Sequence, residues 1–129
     1  ADDRETGLAL NPKFDANGLM TAVVVDEADG AVLMVGHMNR EALDITRQSG
    51  KVTFYSRSRA KLWTKGESSG NFLHLVEMRV DCDQDAVWIK VVQHGAGACH
   101  TGRRSCFYRA VKSGKPGEAT LEFRDADKA

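Results

Sequence analysis

The chain has 129 residues, a length typical of a single folded domain. Its apolar fraction of 42% and charged fraction of 28% are those of an ordinary globular protein, which excludes a disordered chain. Eighteen basic and eighteen acidic residues give a formal net charge of zero, so overall charge gives no reason to expect nucleic acid or an anionic membrane as a partner.

Taken in chain order, the pattern predicts a small, mostly β protein with one or two helices. Residues 1–17 have no regular pattern, and five β-branched or alternating segments then predict strands, namely Met20–Asp26, Ala31–Met38, Val52–Tyr55, Phe72–Val80 and Ala86–Val92. After the second strand, Asn39 is suited to cap a helix over Arg40–Ser49 that ends at Gly50. Residues 56–71 and 95–104 are predicted loops, Phe107–Val111 is a predicted short element, and a turn and polar tail follow.

The N-terminal sequence and the apolar runs indicate where the protein is located in the cell, and the absence of repeats and linkers indicates how many domains it has. Ala1–Thr6 is acidic and polar rather than a charged-then-apolar signal sequence, and no apolar run approaches the length of a membrane span. We therefore expect a cytoplasmic protein that has no membrane partner. No repeat or interdomain linker divides the sequence, so residues 1–129 are expected to form one domain, with a core over about 19–111.

Three cysteines carry the clearest chemical signal. They are separated by 16 and then 6 residues, include no CxxC pair, and are odd in number, which indicates metal binding or catalysis more than a disulfide scaffold. Three thiolates would leave the fourth position of a zinc ion for His100 or for water, and His100 is also the candidate base beside such a water. The alternative is that Cys82, Cys99 and Cys106 are small buried core residues. Because Cys82 is distant in sequence, a site using all three must be assembled by the fold, within one chain or between two.

An alternating acidic run surrounds the first cysteine. If this run is extended, Asp81, Asp83 and Asp85 share one face, and Cys82 shares the other with Gln84. Three carboxylates on one face repel one another unless a cation neutralises them, and hard oxygen ligands suit Mg²⁺, whereas thiolate suits Zn²⁺. The alternative is an ordinary acidic turn between two strands.

Two stretches of the chain are basic and contain no acidic residue among their charges. They comprise Lys51, Arg57, Arg59, Lys61 and Lys65 in the first, and Arg103, Arg104, Arg109, Lys112 and Lys115 in the second. Arginine can bind phosphate through two parallel hydrogen bonds, so both stretches are candidate anion sites. The alternatives are solvated surface loops, or RNA binding with nearby aromatic residues as stacking platforms.

Four segments in order resemble the phosphoribosyl-AMP cyclohydrolase family. They are the helix segment Met38–Leu43, the loop Phe54–Arg59 with Leu62–Trp63 and Lys65–Asn71, the acidic motif Asp81–Ala86, and the cysteine motif Ala98–Arg109. The resemblance covers about Met20 to Val111. Residues 93–97, which precede the cysteine motif, are glycine-rich and depart from the family's common pattern.

The resemblance implies a fold and an activity. The fold would be a small, mainly β α+β domain with a mixed sheet or pseudobarrel, and two chains would interweave as a homodimer. The activity would be hydrolysis of the adenine ring of phosphoribosyl-AMP between N1 and C6, the third step of L-histidine biosynthesis. The chain ends soon after the cysteine motif, so we expect no fused pyrophosphohydrolase domain.

The resemblance also implies the site residues. Cys82 of one chain would join Cys99 and Cys106 of the other around Zn²⁺, and the three aspartates would bind Mg²⁺. Separately from the resemblance, the position of His100 beside Cys99 makes it our hypothesis for the general base. We predict that the substrate phosphates meet arginine and lysine side chains of both basic stretches, with the candidates Arg57, Arg59, Lys65, Arg103 and Arg104. Two rival hypotheses are a structural zinc module that binds RNA and an enzyme that uses Cys99 as a nucleophile with a histidine base.

Overall fold

A computed structural model describes residues 4–93, 103–112, 117 and 120–124. The predicted loop over 95–104 lies almost wholly outside these residues, and Cys99 and His100 lie outside them too. Among the described residues, no helix is long and apolar enough to cross a membrane.

The described part of the chain contains eight strands and one helix. In chain order they are β1 (Met20–Asp26), β2 (Val32–Met38), α1 (Arg40–Ser49), β3 (Thr53–Ser56), β4 (Lys61–Thr64), β5 (Leu73–Val80), β6 (Ala86–Gln93), β7 (Arg109–Lys112) and β8 (Thr120–Phe123). Four strands form the main sheet in the order β2-β1-β6-β5, and two separate hairpins pair β3 with β4 and β7 with β8.

The main sheet is mixed because it joins two antiparallel hairpins through a parallel contact. β1 pairs antiparallel with β2, β6 pairs antiparallel with β5, and β1 runs parallel to β6, from the pair Thr21–Ala86 to the pair Asp26–Val91. Since β1 and β6 run the same way, the turn that precedes β6 and the turn that follows β1 lie at opposite ends of the sheet. The turn before β6 carries the predicted acidic motif, and the segment with Cys106 contacts the hairpin that contains the other turn.

One face of the sheet forms the core with the helix. Met20, Ala22 and Val24 are buried on β1, where they alternate with half-buried Thr21 and Val23, as expected for a strand with one covered face. These residues cluster with the other buried apolar side chains, namely Leu33, Met34, Met38, Ala42, Leu43, Val52, Phe54, Leu73, Val87, Ile89 and Val91. The core therefore lies between this face, α1 and the β3–β4 hairpin.

Local capping fixes the helix between β2 and β3. The Asn39 side chain accepts a hydrogen bond from the Ala42 backbone N–H at 2.8 Å, and Gly50 ends the helix with a φ of 76°. Buried Thr46 then ties the helix to β3, because its hydroxyl oxygen accepts from the Thr53 backbone N–H at 2.9 Å. This connection places the β3–β4 hairpin beside β2.

The predicted fold class is confirmed as a small, mainly β α+β domain with a mixed sheet and one short helix, but the described residues contain no closed barrel. Two element predictions were wrong. The sequence predicts a loop over Lys61–Thr64, but these residues form β4, and it predicts a polar tail over Thr120–Phe123, but these residues form β8. Both are four-residue strands that depend on a hairpin partner, and their short sequences show no clear alternation.

We predict that Gly36→Ala destabilises the protein. A Cβ on Gly36 would lie 2.6 Å from Phe54 Cδ1, and the Phe54 ring is itself packed against Trp63 at a centroid distance of 5.1 Å. Overpacking of this kind typically costs about 1–3 kcal/mol of unfolding free energy, which urea denaturation would measure. In the double variant Gly36→Ala/Phe54→Leu, the ring that the new Cβ would meet is absent. The double variant should therefore lose less unfolding free energy than the sum of the losses in the two single variants, and a loss equal to that sum would contradict the prediction.

Candidate functional site

The acidic run forms the turn between β5 and β6, and its three carboxylates converge. One oxygen from each of Asp81, Asp83 and Asp85 lies within 4.8 Å of the others. The Asp81 carboxylate accepts hydrogen bonds from the backbone N–H groups of Asp85 at 3.0 Å and Ala86 at 3.2 Å, which closes the turn from the inside. The backbone at Gln84 has a φ of 59°, so a tight turn, rather than an extended strand, brings the carboxylates together.

Convergence changes how these carboxyl groups hold protons. The side chains of Asp81 and Asp83 raise the pKa of Asp85 to about 6, because they share its proton through hydrogen bonds and repel its charge. Burial alone would raise the pKa of Asp81, but hydrogen bonds from the Asp85 side chain and from the Ala86 and Asp85 backbone lower it below the usual value. The turn therefore keeps a proton at a higher pH than isolated aspartates would. A bound cation could take the place of this proton, so the cluster is suited to binding one.

Cys82 and Cys106 lie at opposite corners of the main sheet. Cys82 is exposed in the acidic turn, beside edge strand β5, at the end of the sheet where β6 begins. Exposed Cys106 lies beside the other edge strand, where its backbone N–H donates to the Leu33 carbonyl at 2.7 Å. Three strand spacings of about 4.8 Å give a separation of roughly 14 Å across the sheet, and the offset along the strands adds to it.

The segment that carries Cys106 is fastened to the β1–β2 hairpin. Buried Ser105 donates from its hydroxyl to the Val32 carbonyl at 2.7 Å. The Arg104 guanidinium pairs with Asp29 at 2.6 Å and with Asp26 at 3.1 Å. A backbone hydrogen bond from Ala31 and the Arg104 side chain hold the pKa of Asp29 below its usual range. Arg104, predicted to contact phosphate, thus anchors this segment.

The first basic stretch spans the β3–β4 hairpin, and its two arginines lie in the turn of that hairpin. Arg57 and Arg59 are exposed there, and the Ser56 hydroxyl accepts from the Arg59 backbone N–H at 3.3 Å. Lys65 follows β4, with its ammonium 5.9 Å from the centre of the Trp63 ring. A cavity of about 550 Å³ opens between this turn and the Gly36–His37 part of β2. The turn can therefore present cationic and hydroxyl groups to an anion at the mouth of this cavity.

Arg103 is held by aromatic rings. Its guanidinium lies 4.3 Å from the centre of the Tyr108 ring and 4.9 Å from that of Phe123, and these two rings are stacked on each other. Its buried Nη1 atom has no hydrogen-bond partner among the described residues. A guanidinium fixed in this way keeps donors in place for an anionic group.

The structure also reveals two residues that the sequence did not single out. Gln84 and Ser105 are each only 3% exposed, and each binds a segment distant in the chain through its side chain. Their polar side chains within acidic and cysteine-containing motifs gave no sign of this burial. Cys99 and His100, both predicted site residues, lie outside the described residues.

Comparison with known proteins gives one consistent result. The family model described as phosphoribosyl-AMP cyclohydrolase matches residues 34–108. A protein of Nitrobacter hamburgensis with this name is 64% identical over 124 residues, covering 96% of this chain and 84% of its own. A protein of Rhodopseudomonas palustris with the same name is 59% identical over 127 residues, covering 98% and 86%. These matches do not favour the RNA-binding zinc module.

We predict that the acidic turn titrates near neutrality in metal-free protein. Carboxyl NMR should give Asp85 an apparent pKa of about 6, which should fall toward 3.8 in Asp81→Asn. Because the folded-state pKa is raised, the contribution of Asp85 to stability is present at low pH and is lost as pH rises through about 6. An Asp85 titration that is unchanged in Asp81→Asn would show that the carboxylates do not interact.

We further predict that Arg104 and Arg57 respond differently to truncation. Arg104→Ala should lower the unfolding free energy by about 1–3 kcal/mol, since it removes the charge-assisted hydrogen bonds to Asp26 and Asp29. Exposed Arg57→Ala should leave stability within about 0.5 kcal/mol of wild type. Thermal denaturation of both variants, with Arg104→Lys as the charge-preserving control, measures this difference. Equal stability of Arg104→Ala and wild type would contradict the anchoring role.

Proposed function

The chain belongs to the phosphoribosyl-AMP cyclohydrolase family, and we propose that it hydrolyses the bond between N1 and C6 of the adenine ring in phosphoribosyl-AMP, the third step of L-histidine biosynthesis. The observation that carries this proposal is the 64% identity over 96% of the chain to a relative named for the activity. The convergent acidic turn and the surface cysteines supply groups that such a reaction needs.

The proposed zinc ligands are Cys82, Cys99 and Cys106, and the positions of two of them favour a site shared between chains. Zinc binds thiolate sulfur at about 2.3 Å, so two sulfur ligands of one ion are about 4 Å apart. Cys82 and Cys106 of one chain are separated by the width of a four-stranded sheet. A single chain therefore cannot supply both to one ion, whereas Cys82 of one chain and Cys106 of a partner can meet.

An apolar row on the open face of the main sheet supports a homodimer. Val35, Val23 and Trp88 are aligned across β2, β1 and β6, so their side chains lie on the same face, opposite the core. Val35 is 43% exposed, and Val23 and Trp88 are half-buried. An apolar row of this kind is typical of a surface that is covered in the assembled protein.

The proposed magnesium site is the acidic turn. Its three carboxylate oxygens already lie within 4.8 Å of one another, and carboxylates are the ligands that Mg²⁺ prefers. The pKa of Asp85 is raised because Asp85 shares a proton with Asp81 and Asp83 through hydrogen bonds and because their charges repel one another, and a bound divalent cation could replace that proton and offset the repulsion. The described residues therefore fit the ion in both charge and geometry.

The proposed reaction is an addition of water followed by ring opening. Zinc, when bound by the thiolates, would supply a polarised water close to the substrate. His100 accepts a proton from the water that adds at C6 and can return it to N1 as the C6–N1 bond breaks. The charges of Arg57, Arg59 and Lys65 at one turn, and of Arg103 near the cysteine motif, suit a substrate with two separated phosphates. Arg104 contributes by holding the cysteine segment on the sheet.

The first experiment measures ring opening of phosphoribosyl-AMP by ultraviolet absorbance, with and without a zinc chelator. We expect turnover that the chelator abolishes and that added Zn²⁺ restores, because the attacking water depends on the metal. Cys106→Ser should lose both zinc and turnover. Absence of turnover in a folded, zinc-loaded protein would refute the proposed activity.

Mixed dimers test the shared zinc site. When a Cys82→Ser chain pairs with a Cys106→Ser chain, a site built across chains leaves one intact zinc site for each dimer, so about half of the wild-type activity should return. Each variant alone should be inactive.

The matched control pairs a wild-type chain with a Cys82→Ser/Cys106→Ser chain. A site shared between chains predicts no activity in this dimer, whereas a site within one chain predicts about half. Differently tagged chains allow each mixed dimer to be purified before zinc content and turnover are measured. Activity only in the control dimer would refute the shared site.

A further inference from the structure

The turn that carries the three aspartates contains one residue whose side chain faces the opposite way. Gln84 is only 3% exposed, although it lies between Asp83 and Asp85 in a surface turn. Its backbone φ of 59° is in the left-handed region, which a glutamine side chain rarely adopts. This backbone conformation is strained, so the folded protein must contain contacts of Gln84 that offset the strain.

Those contacts all go to the N-terminal segment, residues 4–13. The Gln84 side-chain oxygen accepts from the Asn11 backbone N–H at 2.8 Å. Its amide nitrogen donates to the carbonyls of Arg4 at 2.8 Å and Ala9 at 3.2 Å. The Gln84 carbonyl accepts from the Lys13 backbone N–H at 2.7 Å. The carboxamide thus makes three hydrogen bonds to a segment with no regular structure of its own.

The same residue is also part of the turn that holds the carboxylates. The Gln84 backbone N–H donates to the Asp81 carbonyl at 3.0 Å, while the Asp81 carboxylate accepts from the next two N–H groups. The Asp81 carboxylate therefore holds the turn through hydrogen bonds within it, and the Gln84 side chain attaches the turn to the N-terminal segment. Without the second attachment, repulsion among three carboxylates would favour opening of the turn.

We infer that Gln84 is a positioning residue, which fastens the N-terminal segment to the acidic turn and thereby keeps the three carboxylates converged for a divalent cation. This inference rests on the proposed magnesium site. The attachment has a second effect, because the N-terminal segment forms one wall of a cavity of about 580 Å³ whose other wall includes Asp81 and Cys82. Gln84 therefore links the acidic turn, the cavity wall and the surroundings of Cys82.

The decisive variant is Gln84→Asn in the full-length protein. Asparagine tolerates the left-handed conformation and keeps the carboxamide, but it is one methylene shorter and cannot reach the N-terminal segment. Loss of a residue that orients metal ligands typically weakens metal binding by about tenfold or more. We expect this loss in calorimetric titration with Mg²⁺. The same substitution at exposed Gln48 on α1, as a control, should leave the affinity unchanged.

A second variant approaches the contact from its other side. Asn11→Pro removes the backbone N–H that Gln84 accepts, whereas Asn11→Ala keeps it and serves as the matched control. Asn11→Pro should weaken Mg²⁺ binding as Gln84→Asn does. Because both substitutions break the same contact, the double variant should lose less Mg²⁺ binding free energy than the sum of the losses in the two single variants. In both, activity lost at low Mg²⁺ should return when Mg²⁺ is raised.

The outcomes separate this inference from the proposed function. Equal Mg²⁺ affinity in Gln84→Asn and wild type overturns the inference and leaves the magnesium site intact. Activity that excess Mg²⁺ cannot restore, together with a lower Tm, shows a purely structural role and also overturns it. If wild-type protein binds no Mg²⁺, both the magnesium assignment and the inference fail.

Discussion

The parallel pairing of β1 with β6 determines where the acidic turn and the segment with Cys106 lie relative to each other. It joins two antiparallel hairpins that point in opposite directions, so the β1–β2 turn and the β5–β6 turn lie at opposite ends of one sheet. The acidic motif occupies one of these turns, and the segment with Cys106 is fastened beside the other. The proposed zinc site, which uses cysteines from both ends, would therefore need two copies of the sheet, and under this proposal the reaction would depend on dimerisation.

Polar side-chain contacts attach both functional segments to this framework. Arg104 and Ser105 fasten the cysteine segment to the β1–β2 hairpin, and Gln84 fastens the N-terminal segment to the acidic turn. In each case the contact joins residues more than 70 positions apart in the chain, so a short polar segment is stabilised without a core of its own. The acidic turn needs this support most, because its carboxylates repel one another when no cation is bound.

The sequence predicted the regular elements well wherever local signals were strong. The valines of β1, the Asn39 cap and the Gly50 stop act through neighbouring residues, and the structure confirms them. β4 and β8 were missed because four-residue strands are specified by their hairpin partners more than by their own pattern. Likewise, the partners of Arg104 and Gln84 are set by tertiary contacts. The sequence pattern therefore does not indicate that Arg104 pairs with Asp26 and Asp29, or that Gln84 is buried within an acidic run.

The separation of Cys82 and Cys106 also has a consequence for when a newly synthesised chain can bind metal. Under the two-chain arrangement, a newly made monomer carries the parts of two half-sites but no complete zinc site. Metal acquisition would then follow assembly, and each ion captured would favour the dimer by mass action. Activity per chain would accordingly fall on dilution below the dimer dissociation constant, so the abundance of the protein would itself control how much of it is metallated.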